Sequence, residues 1–290
     1  MGLTIKELIP IGEGILKIGG VSDYKADAQS LLEYEIGFDK KKIFMNWTFE
    51  VEDHRVEGYL DKIRQRAEGM PLQYITEEQY FMGRRFAVNE HVLIPRPETE
   101  SLTEKAAEYL AARKKANTVL DLGTGSGAIV CSLARKFPGL KFTAADISGD
   151  ALRVAKKNAA ALGAAGRIEF IQSDLFASLK SGGLTGKKFD LIISNPPYIK
   201  SADIAGLQRE IRDHEPIGAL DGGADGLDFY RRIARDSTAY FKKDACLFLE
   251  IGADQGRDVS EILAEAGFAN IEISRDLTGR DRIIKANPKG

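Results

Sequence analysis

Four consecutive residues, Asn195, Pro196, Pro197 and Tyr198, combine a polar side chain with a stiff backbone. They follow an apolar run, residues 189–194, whose composition predicts a buried strand of a parallel sheet. Two prolines cannot continue a central strand, so the chain must leave the sheet at the edge where open α/β sheets bind ligands. The amide oxygen of Asn195 and a main-chain carbonyl of the proline segment could then accept two hydrogen bonds from a planar –NH2 group. The segment therefore predicts a site that holds an amino or amide group.

A glycine-rich segment, residues 121–127, reads Asp-Leu-Gly-Thr-Gly-Ser-Gly and separates a predicted strand from a predicted helix. Glycines at such a turn let a ligand approach the backbone and the start of the helix. The spacing of Gly123, Gly125 and Ala128 also fits the dinucleotide fingerprint, so NAD remains an alternative ligand. The third glycine, Gly127, and the acid Asp121 favour S-adenosylmethionine, because Asp121 could orient the methionine ammonium group directly or through water.

Two later segments complete the predicted cofactor site. Asp146 ends the second predicted strand, where an acid can bind ribose hydroxyls. Asp174 and Leu175 follow the third strand, where Asp174 could accept the adenine amino group and Leu175 could pack on the ring; the alternative for Asp174 is a helix N-cap. The candidate cofactor-binding residues are Asp121, Gly123, Thr124, Gly125, Ser126, Gly127, Asp146, Asp174, Leu175 and Asn195.

The elements that carry these residues alternate between strand and helix from residue 118 onward. This alternation predicts a doubly wound α/β sheet. The predicted strands span 119–122, 141–146, 168–172, 191–194, 246–251, 271–274 and 282–285, the last two as an antiparallel pair.

The chain before this sheet is predicted to be helical. Helices are expected from the Thr4 capping box to residue 18, over 23–36 with Gly37 as the stop, and over 52–67, and Trp47 is expected to anchor their packing. A hairpin turning near Gly83 follows, and Pro97 is well placed to begin a helix. We therefore predict a helical domain over 1–78, a hairpin linker over 79–97 and a sheet domain over 98–290.

Composition limits the function further. With a net charge of −2 and no basic stripe, the chain is not expected to bind nucleic acid in a sequence-specific manner. There is no apolar run of about 18 residues, which argues against a membrane span, and the N-terminal residues do not read as a targeting peptide. Cys131 and Cys246 lie among apolar neighbours and are expected to be reduced core residues of a cytoplasmic protein. The three histidines have no ligand spacing, so no metal site is expected.

Several motifs in the same order resemble the HemK/PrmC family, the peptide chain release factor glutamine-N5 methyltransferases. Besides Asn-Pro-Pro-Tyr, residues 69–75 (Gly-Met-Pro-Leu-Gln-Tyr-Ile) and 94–100 (Ile-Pro-Arg-Pro-Glu-Thr-Glu) look like family signatures. So do residues 215–227, which follow the proline loop, and residues 250–256, which contain Glu-Ile-Gly and Gln-Gly. The matches run from about residue 69 to 282.

The resemblance implies a class I, Rossmann-like methyltransferase with a seven-stranded sheet and a small N-terminal helical domain that recognises the substrate, joined by the hairpin. It implies methyl transfer from S-adenosylmethionine to the side-chain amide nitrogen of the glutamine in the GGQ motif of release factors, in support of translation termination. Asn195, Pro196 and Tyr198 would be the catalytic residues, and Asn195, Pro196, Pro197 and Tyr198 would bind the substrate.

Alternatives stay open from the sequence alone. They are a nucleic-acid amino methyltransferase, a glutamine methyltransferase for a ribosomal protein, a nonenzymatic S-adenosylmethionine-binding module and an NAD-dependent oxidoreductase. Arg96 either pairs with a nearby carboxylate or lies near the cofactor, and the structural role is the expectation. Gly222, Gly223 and Gly226 either belong to the family block or simply form a turn.

Overall fold

The chain divides into two compact units. A computed structural model describes residues 2–113, 115–178, 186–276 and 278–289. One unit comprises residues 1–78 together with 208–214, and the other comprises 79–207 and 215–290. Within the described residues, no helix is both long enough and apolar enough to cross a lipid bilayer.

The first unit is a bundle of helices around its own apolar core. Its helices are α1 (Ile5–Ile18), α2 (Tyr24–Ile36), α3 (Lys40–Met45), α4 (Asp53–Ala67), α5 (Leu72–Ile75) and α9 (Arg209–His214). The Thr4 N–H donates to the Glu7 carboxylate at 2.9 Å, as the capping box predicts. Gly37 ends α2 with φ of +69°, which is the left-handed conformation that glycine adopts without strain.

A buried ion-pair cluster ties α9 to the rest of this bundle. The Arg66 guanidinium contacts Asp27 at 2.7 Å and Glu210 at 2.6 Å, and the Arg66 side chain is only 10% exposed. Because Arg66 comes from α4 and Glu210 from α9, two distant stretches of sequence share one polar contact within the unit.

The second unit contains a seven-stranded sheet with the order β5-β4-β3-β6-β7-β9-β8. Neighbouring strands from β5 to β7 are parallel, and β9 pairs antiparallel with both β7 and β8. The strands are β3 (Thr118–Leu122), β4 (Lys141–Asp146), β5 (Ile168–Gln172), β6 (Phe189–Ser194), β7 (Phe241–Glu250), β8 (Phe268–Arg275) and β9 (Asp281–Pro288). The hairpin strands β1 (Glu78–Phe81) and β2 (Arg84–Ala87) form a separate two-stranded sheet.

Helices cover both faces of the seven-stranded sheet. On one face, α6, α7 and α8 pack on alternate strand residues such as Val119 and Ile193. On the other face, α10 and α11 pack on the intervening residues, including Leu120 and Ile192. These helices are α6 (Pro97–Ala112), α7 (Ala128–Lys136), α8 (Gly149–Ala161), α10 (Asp228–Ser237) and α11 (Gly256–Glu265). The predicted doubly wound sheet is therefore confirmed.

Most predicted elements are confirmed within a few residues. The hairpin turns at Met82 and Gly83, which have φ of +51° and +67°, and Pro97 begins α6. Both cysteines are fully buried, and burial raises the pKa of each thiol to about 12.

Three expectations about local structure need correction. Strand β7 begins at Phe241, five residues before its predicted start. Its first half is polar, which is typical of a loop, yet the strand still pairs with β6 at Phe189. Helix α3 was not predicted; Asp39 caps it by accepting the Lys42 N–H at 2.7 Å. Trp47 is 40% exposed and lies outside the core cluster of the bundle, so the prediction that it anchors the packing is wrong.

Candidate active site

Three chain segments meet at the carboxyl edge of the parallel strands. Ser194 pairs in register with Leu122 on one side and with Leu249 on the other. Asn195 therefore lies between the glycine loop that follows β3 and Glu250, the last residue of β7. This is the edge at which open α/β sheets bind ligands, as the sequence predicts.

The Asn195 amide is oriented from behind by two buried side chains. Its Nδ2 donates to the Thr99 Oγ1 at 3.1 Å, and the side chain also hydrogen-bonds the Glu250 carboxylate. Thr99 in turn donates to Glu250 Oε2 at 2.7 Å. Because Nδ2 is used in this way, Oδ1 is the polar atom of Asn195 that remains for a ligand.

The backbone after Asn195 is fixed by a second loop. The Ile199 N–H donates to the Leu220 carbonyl at 3.0 Å, and the Gly222 N–H donates to the Ile199 carbonyl at 2.8 Å. The Tyr198 carbonyl accepts from Gln255 Nε2 at 3.0 Å. These bonds hold the proline segment in one conformation without using the side chain of Asn195.

Glycines make this close packing possible. A Cβ at Gly222 would lie 2.8 Å from the Tyr198 Cα, and one at Gly226 would lie 2.5 Å from the Tyr198 carbonyl oxygen. Gly226 also has φ of +77°, where a side chain is strained. Gly222 and Gly226 thus form a turn that also fits the Tyr198 backbone, which goes beyond the simple turn considered from the sequence.

The glycine loop leaves room for a ligand. Gly123 and Gly125 have φ of +67° and +54°, and a Cβ at either position would meet nothing within 4 Å. Gly127 instead packs against Ala155, whose Cβ would lie 3.1 Å from a Cβ at this position, so its missing side chain permits close packing. The Thr124 and Ser126 side chains are buried.

Asp121 lies beneath this loop and is fully buried. Its Oδ2 accepts from the Thr124 hydroxyl at 2.7 Å, whereas its Oδ1 has no hydrogen-bond partner among the described residues. Burial, together with the negative charge of the neighbouring Asp146, raises the pKa of this carboxyl to about 7, although the hydrogen bond from Thr124 opposes the shift. A buried acceptor with no partner is costly, which fits a cationic group bound above the loop.

Asp146 does reach the open space. One of its carboxylate oxygens accepts from the Gly125 N–H at 2.8 Å, and the other accepts from the Ser148 N–H at 2.9 Å. Burial raises the pKa of this carboxyl, although these backbone hydrogen bonds oppose the shift. Carboxylate oxygens have further lone pairs that can accept from ribose hydroxyls.

A cavity of about 440 Å³ joins the glycine loop to the proline loop. This volume lies in the range of small-molecule sites. Of the predicted site residues, those that line the cavity are Gly123, Gly125, Asp146, Asp174, Leu175, Asn195 and Pro197. Pro196 is buried beside it, and Tyr198 is partly buried against the core cluster formed with α10 and α11. Burial raises the pKa of Tyr198 to about 12, so it stays neutral.

The part of the cavity near Asp174 contains an ion pair that sequence reasoning missed. Asp174 accepts from Arg232 Nη2 at 2.6 Å, and Arg232 and Phe229 both line the cavity. Leu175 lies on the same wall with φ of +49°, a conformation that is unusual for a leucine. The ion pair uses one oxygen of the Asp174 carboxylate, and Asp174 still lines the cavity.

Further polar residues that support the site were also missed. Asn158 bonds the Ser126 carbonyl at 2.8 Å and both backbone groups of Ala87. Arg96 pairs with Glu215, whose other oxygen accepts from the Ile94 N–H at 3.3 Å, so Arg96 has the structural role that was expected. The only signals for these partners were the motif blocks themselves, because each pair is more than 30 residues apart in the chain.

These features fit S-adenosylmethionine. The open glycines suit close approach of the ligand and Asp146 suits the ribose, whereas the buried Asp121 does not line the cavity and can act on the ammonium group only through its charge or an intervening group. Within the described residues, no group of three or more His, Cys, Asp or Glu side chains is arranged to hold a metal ion.

Comparison with known proteins supports a methyltransferase fold for this chain. The methyltransferase domain family matches residues 113–225, and the PrmC N-terminal domain family matches residues 7–76. A crystal structure of a SAM-dependent methyltransferase from Agrobacterium tumefaciens aligns with a TM-score of 0.51 and 17% identity, covering 73% of this chain and 70% of the other. The hMettl16 catalytic domain aligns with a TM-score of 0.56 and 17% identity, covering 82% and 83%. Fold and site together define an S-adenosylmethionine-dependent methyltransferase.

Curated relatives narrow the class further. Release factor glutamine methyltransferases from Clostridium acetobutylicum and Cereibacter sphaeroides are 39% and 41% identical to this chain. The first alignment covers 98% of both chains, and the second covers 93% of this chain and 94% of the relative. The chain belongs to the release factor glutamine methyltransferase family.

Proposed function

We propose that this enzyme transfers a methyl group from S-adenosylmethionine to the side-chain amide nitrogen, N5, of the GGQ-motif glutamine in peptide chain release factors. The reaction would take place in the cytoplasm and support translation termination. The observation that carries the proposal is the Asn195 amide, whose nitrogen is held by Thr99 while its side chain lines the cavity that also contains Asp146.

The reaction requires positioning of the substrate amide more than it requires a base. An amide nitrogen is a weak nucleophile because its lone pair is delocalised, and S-adenosylmethionine supplies a methyl group on an electrophilic sulfonium. Asn195 Oδ1 and the Pro196 carbonyl would accept the two amide N–H groups of the glutamine and hold its nitrogen in one orientation. Holding reactants in near-attack geometry can contribute roughly 7–11 kcal/mol. Pro197 would stiffen the loop, Tyr198 would pack against the substrate side chain, and the proton would leave to water after transfer.

Substitution of Asn195 by Ala tests this role. The variant should bind S-adenosylmethionine within about threefold of wild type, while methyl transfer falls by about two to three orders of magnitude, as when one positioned donor or acceptor is deleted. Labelled cofactor, a purified release factor and mass spectrometry would locate the methylated residue. Asn287→Ala is the matched control, since the Asn287 side chain donates to the Ala245 carbonyl in β7 and does not line the cavity. Activity of Asn195→Ala within a few-fold of wild type would refute the assignment.

The same assay separates the substrate classes. The net charge of −2 supports a protein substrate rather than sequence-specific binding of nucleic acid. Methyl transfer to DNA, RNA or a ribosomal protein in excess of transfer to a release factor would overturn the proposed substrate.

We further propose that residues 1–78 recognise the protein substrate. Support comes from apolar side chains that the bundle leaves exposed: Phe44 is 80% exposed and Met45 is 71% exposed, and Trp47 and Phe49 lie nearby in the chain. Clustered exposed apolar side chains are typical of protein-binding surfaces.

Substituting Phe44 and Met45 together by Ser should raise KM for the release factor at least about fivefold, the loss expected when roughly 1 kcal/mol of apolar burial is removed. Cofactor affinity should not change. Ile18→Ser is the control, because Ile18 is 91% exposed on a different helix. An equal KM for the double variant and wild type would reject this surface as the binding site.

A further inference from the structure

Two buried side chains outside the proline loop are hydrogen-bonded in series with the Asn195 amide. Thr99 lies in the first turn of α6 and is 5% exposed, and Glu250 ends β7 and is 1% exposed. With Asn195 they form a chain of hydrogen bonds of 3.1 Å and 2.7 Å. Neither residue lines the cavity, so neither is placed to touch a ligand in it.

The donors and acceptors in this chain can run in only one direction while Glu250 is ionised. A carboxylate only accepts hydrogen bonds, so the single hydroxyl hydrogen of Thr99 must point to Glu250. The Thr99 oxygen is then left as an acceptor, and the group of Asn195 facing it must be the amino group. The amide oxygen is consequently the atom presented to the cavity.

We propose that Glu250 and Thr99 are positioning residues that fix the polarity of the Asn195 amide, and that the ionised form of Glu250 is the competent one. The inference rests on the proposed function, because only a substrate –NH2 group requires an acceptor at that point. If Glu250 takes up a proton, it can donate to Thr99, and Thr99 can donate to Asn195. The amide can then turn over and present its amino group, which repels the substrate N–H groups.

The surroundings of Glu250 place its protonation near neutral pH. Burial raises the pKa of Glu250 to about 7, and the hydrogen bond from Thr99, the positive charge of Arg282 and the hydrogen bond from Asn195 oppose the shift. The negative charge of Glu98, at the start of α6, contributes to the rise in the pKa. Tyr198 and Tyr230 also face the group and are neutral, and Tyr230 donates to the Glu250 main-chain carbonyl at 3.0 Å.

Substitutions at Thr99 separate positioning from packing. Thr99→Val keeps the shape and removes the hydroxyl, so kcat should fall about ten- to one-hundredfold while cofactor affinity stays within threefold. Thr99→Ser restores the hydroxyl and should recover kcat to within about threefold of wild type. Thr103→Val is the matched control: Thr103 lies one turn later on α6, is 1% exposed, and donates only to the Thr99 carbonyl at 3.0 Å. It should leave kcat within about twofold.

The pH dependence tests Glu250 directly. In wild type, kcat should rise with pH through a pKa near 7, because the deprotonated form is competent. Glu250→Gln should lose this acidic limb. Asp121, whose carboxyl pKa is also raised to about 7, is unchanged in the variant, so a limb caused by Asp121 would persist.

A second readout does not need turnover. In protein labelled with 15N-asparagine, the Asn195 side-chain amide signals, assigned by their loss in Asn195→Ala, should shift with pH in wild type and stay constant in Glu250→Gln. The inference is overturned if Thr99→Val matches Thr103→Val in kcat, or if the acidic limb and the amide shift both survive in Glu250→Gln. Failure of wild type to methylate a release factor would instead refute the proposed function, which keeps the two failures distinct.

Discussion

The hydrogen bonds of Asn158 allow the loss of stability on its substitution to be estimated. Its side chain is 2% exposed on the inner face of α8. It accepts from the Ala87 N–H at 2.7 Å and donates to the Ala87 carbonyl at 2.9 Å and to the Ser126 carbonyl at 2.8 Å. One amide therefore joins the hairpin strand β2 to the glycine loop.

Asn158→Ala removes all three bonds and leaves three backbone groups without this partner. The Ser126 contact is buried, and the two Ala87 contacts are partly buried. Since an unsatisfied buried polar group costs about 1–3 kcal/mol and a partly buried one less, we expect a loss of about 2–4 kcal/mol in the free energy of unfolding. The glycine loop loses its support as well, so S-adenosylmethionine should bind up to about tenfold more weakly, which corresponds to about 1.4 kcal/mol.

Urea unfolding followed by circular dichroism measures the first quantity, and titration calorimetry measures the second. Asn287→Ala is again the control, because it removes a single bond of 2.8 Å at a partly buried site and should cost about 1 kcal/mol. If Asn158→Ala lowers the free energy of unfolding no more than this control does, the three bonds do not provide the stability assigned to them.

Three other predictions use buried groups near the sheet. Gly226→Ala forces a Cβ to within 2.5 Å of the Tyr198 carbonyl at φ of +77°, so methyl transfer should fall at least about tenfold while circular dichroism stays native; unchanged activity would show that the Tyr198 backbone can move freely. Cys131 and Cys246 should not react with an aromatic disulfide reagent until urea unfolds the protein, since both are fully buried and burial raises the pKa of each thiol to about 12; labelling of native protein within minutes would contradict this. Because burial raises the pKa of Glu250 from 4.5 to about 7 in the folded state, the stabilising effect of its proton is complete below pH 4.5 and is lost as pH rises through 7. The thermal stability of Glu250→Gln relative to wild type should therefore rise as the pH increases from 5 to 8. A difference in stability that does not change with pH would refute the assigned ionisation.

The sequence predicted those parts of the fold that local patterns determine. The strands at 141–146 and 168–172 match the structure, because each is a short segment bounded on both sides by glycine, proline, serine or aspartate residues that favour turns. The site loops were predicted for a similar reason: Gly123, Gly125 and Pro197 have backbone requirements that are visible in their residue type. The position of Asn195 followed from the strand before it.

Partners that depend on the tertiary fold could not be read from the sequence in this way. Thr99 lies 96 residues before Asn195, and Asp174 lies 58 residues before Arg232, so no local spacing relates them. The motif around residues 94–100 indicated that Thr99 belongs to a conserved-looking block of the family, but not that its hydroxyl contacts the amide. Helix α3 was missed because its six residues are too few to establish a period, and the polar first half of β7 resembles a loop.

The helical bundle includes residues 208–214 as well as the first 78 residues, although residues 208–214 come after the proline loop in the chain. Arg66, whose side chain is only 10% exposed, contacts the carboxylates of both Asp27 and Glu210. Transfer of only the first 78 residues onto a foreign methyltransferase, by recombination or by design, would carry the arginine without one of its two carboxylate partners. Exchange of the intact helical bundle between relatives should therefore require two segments to be inherited together.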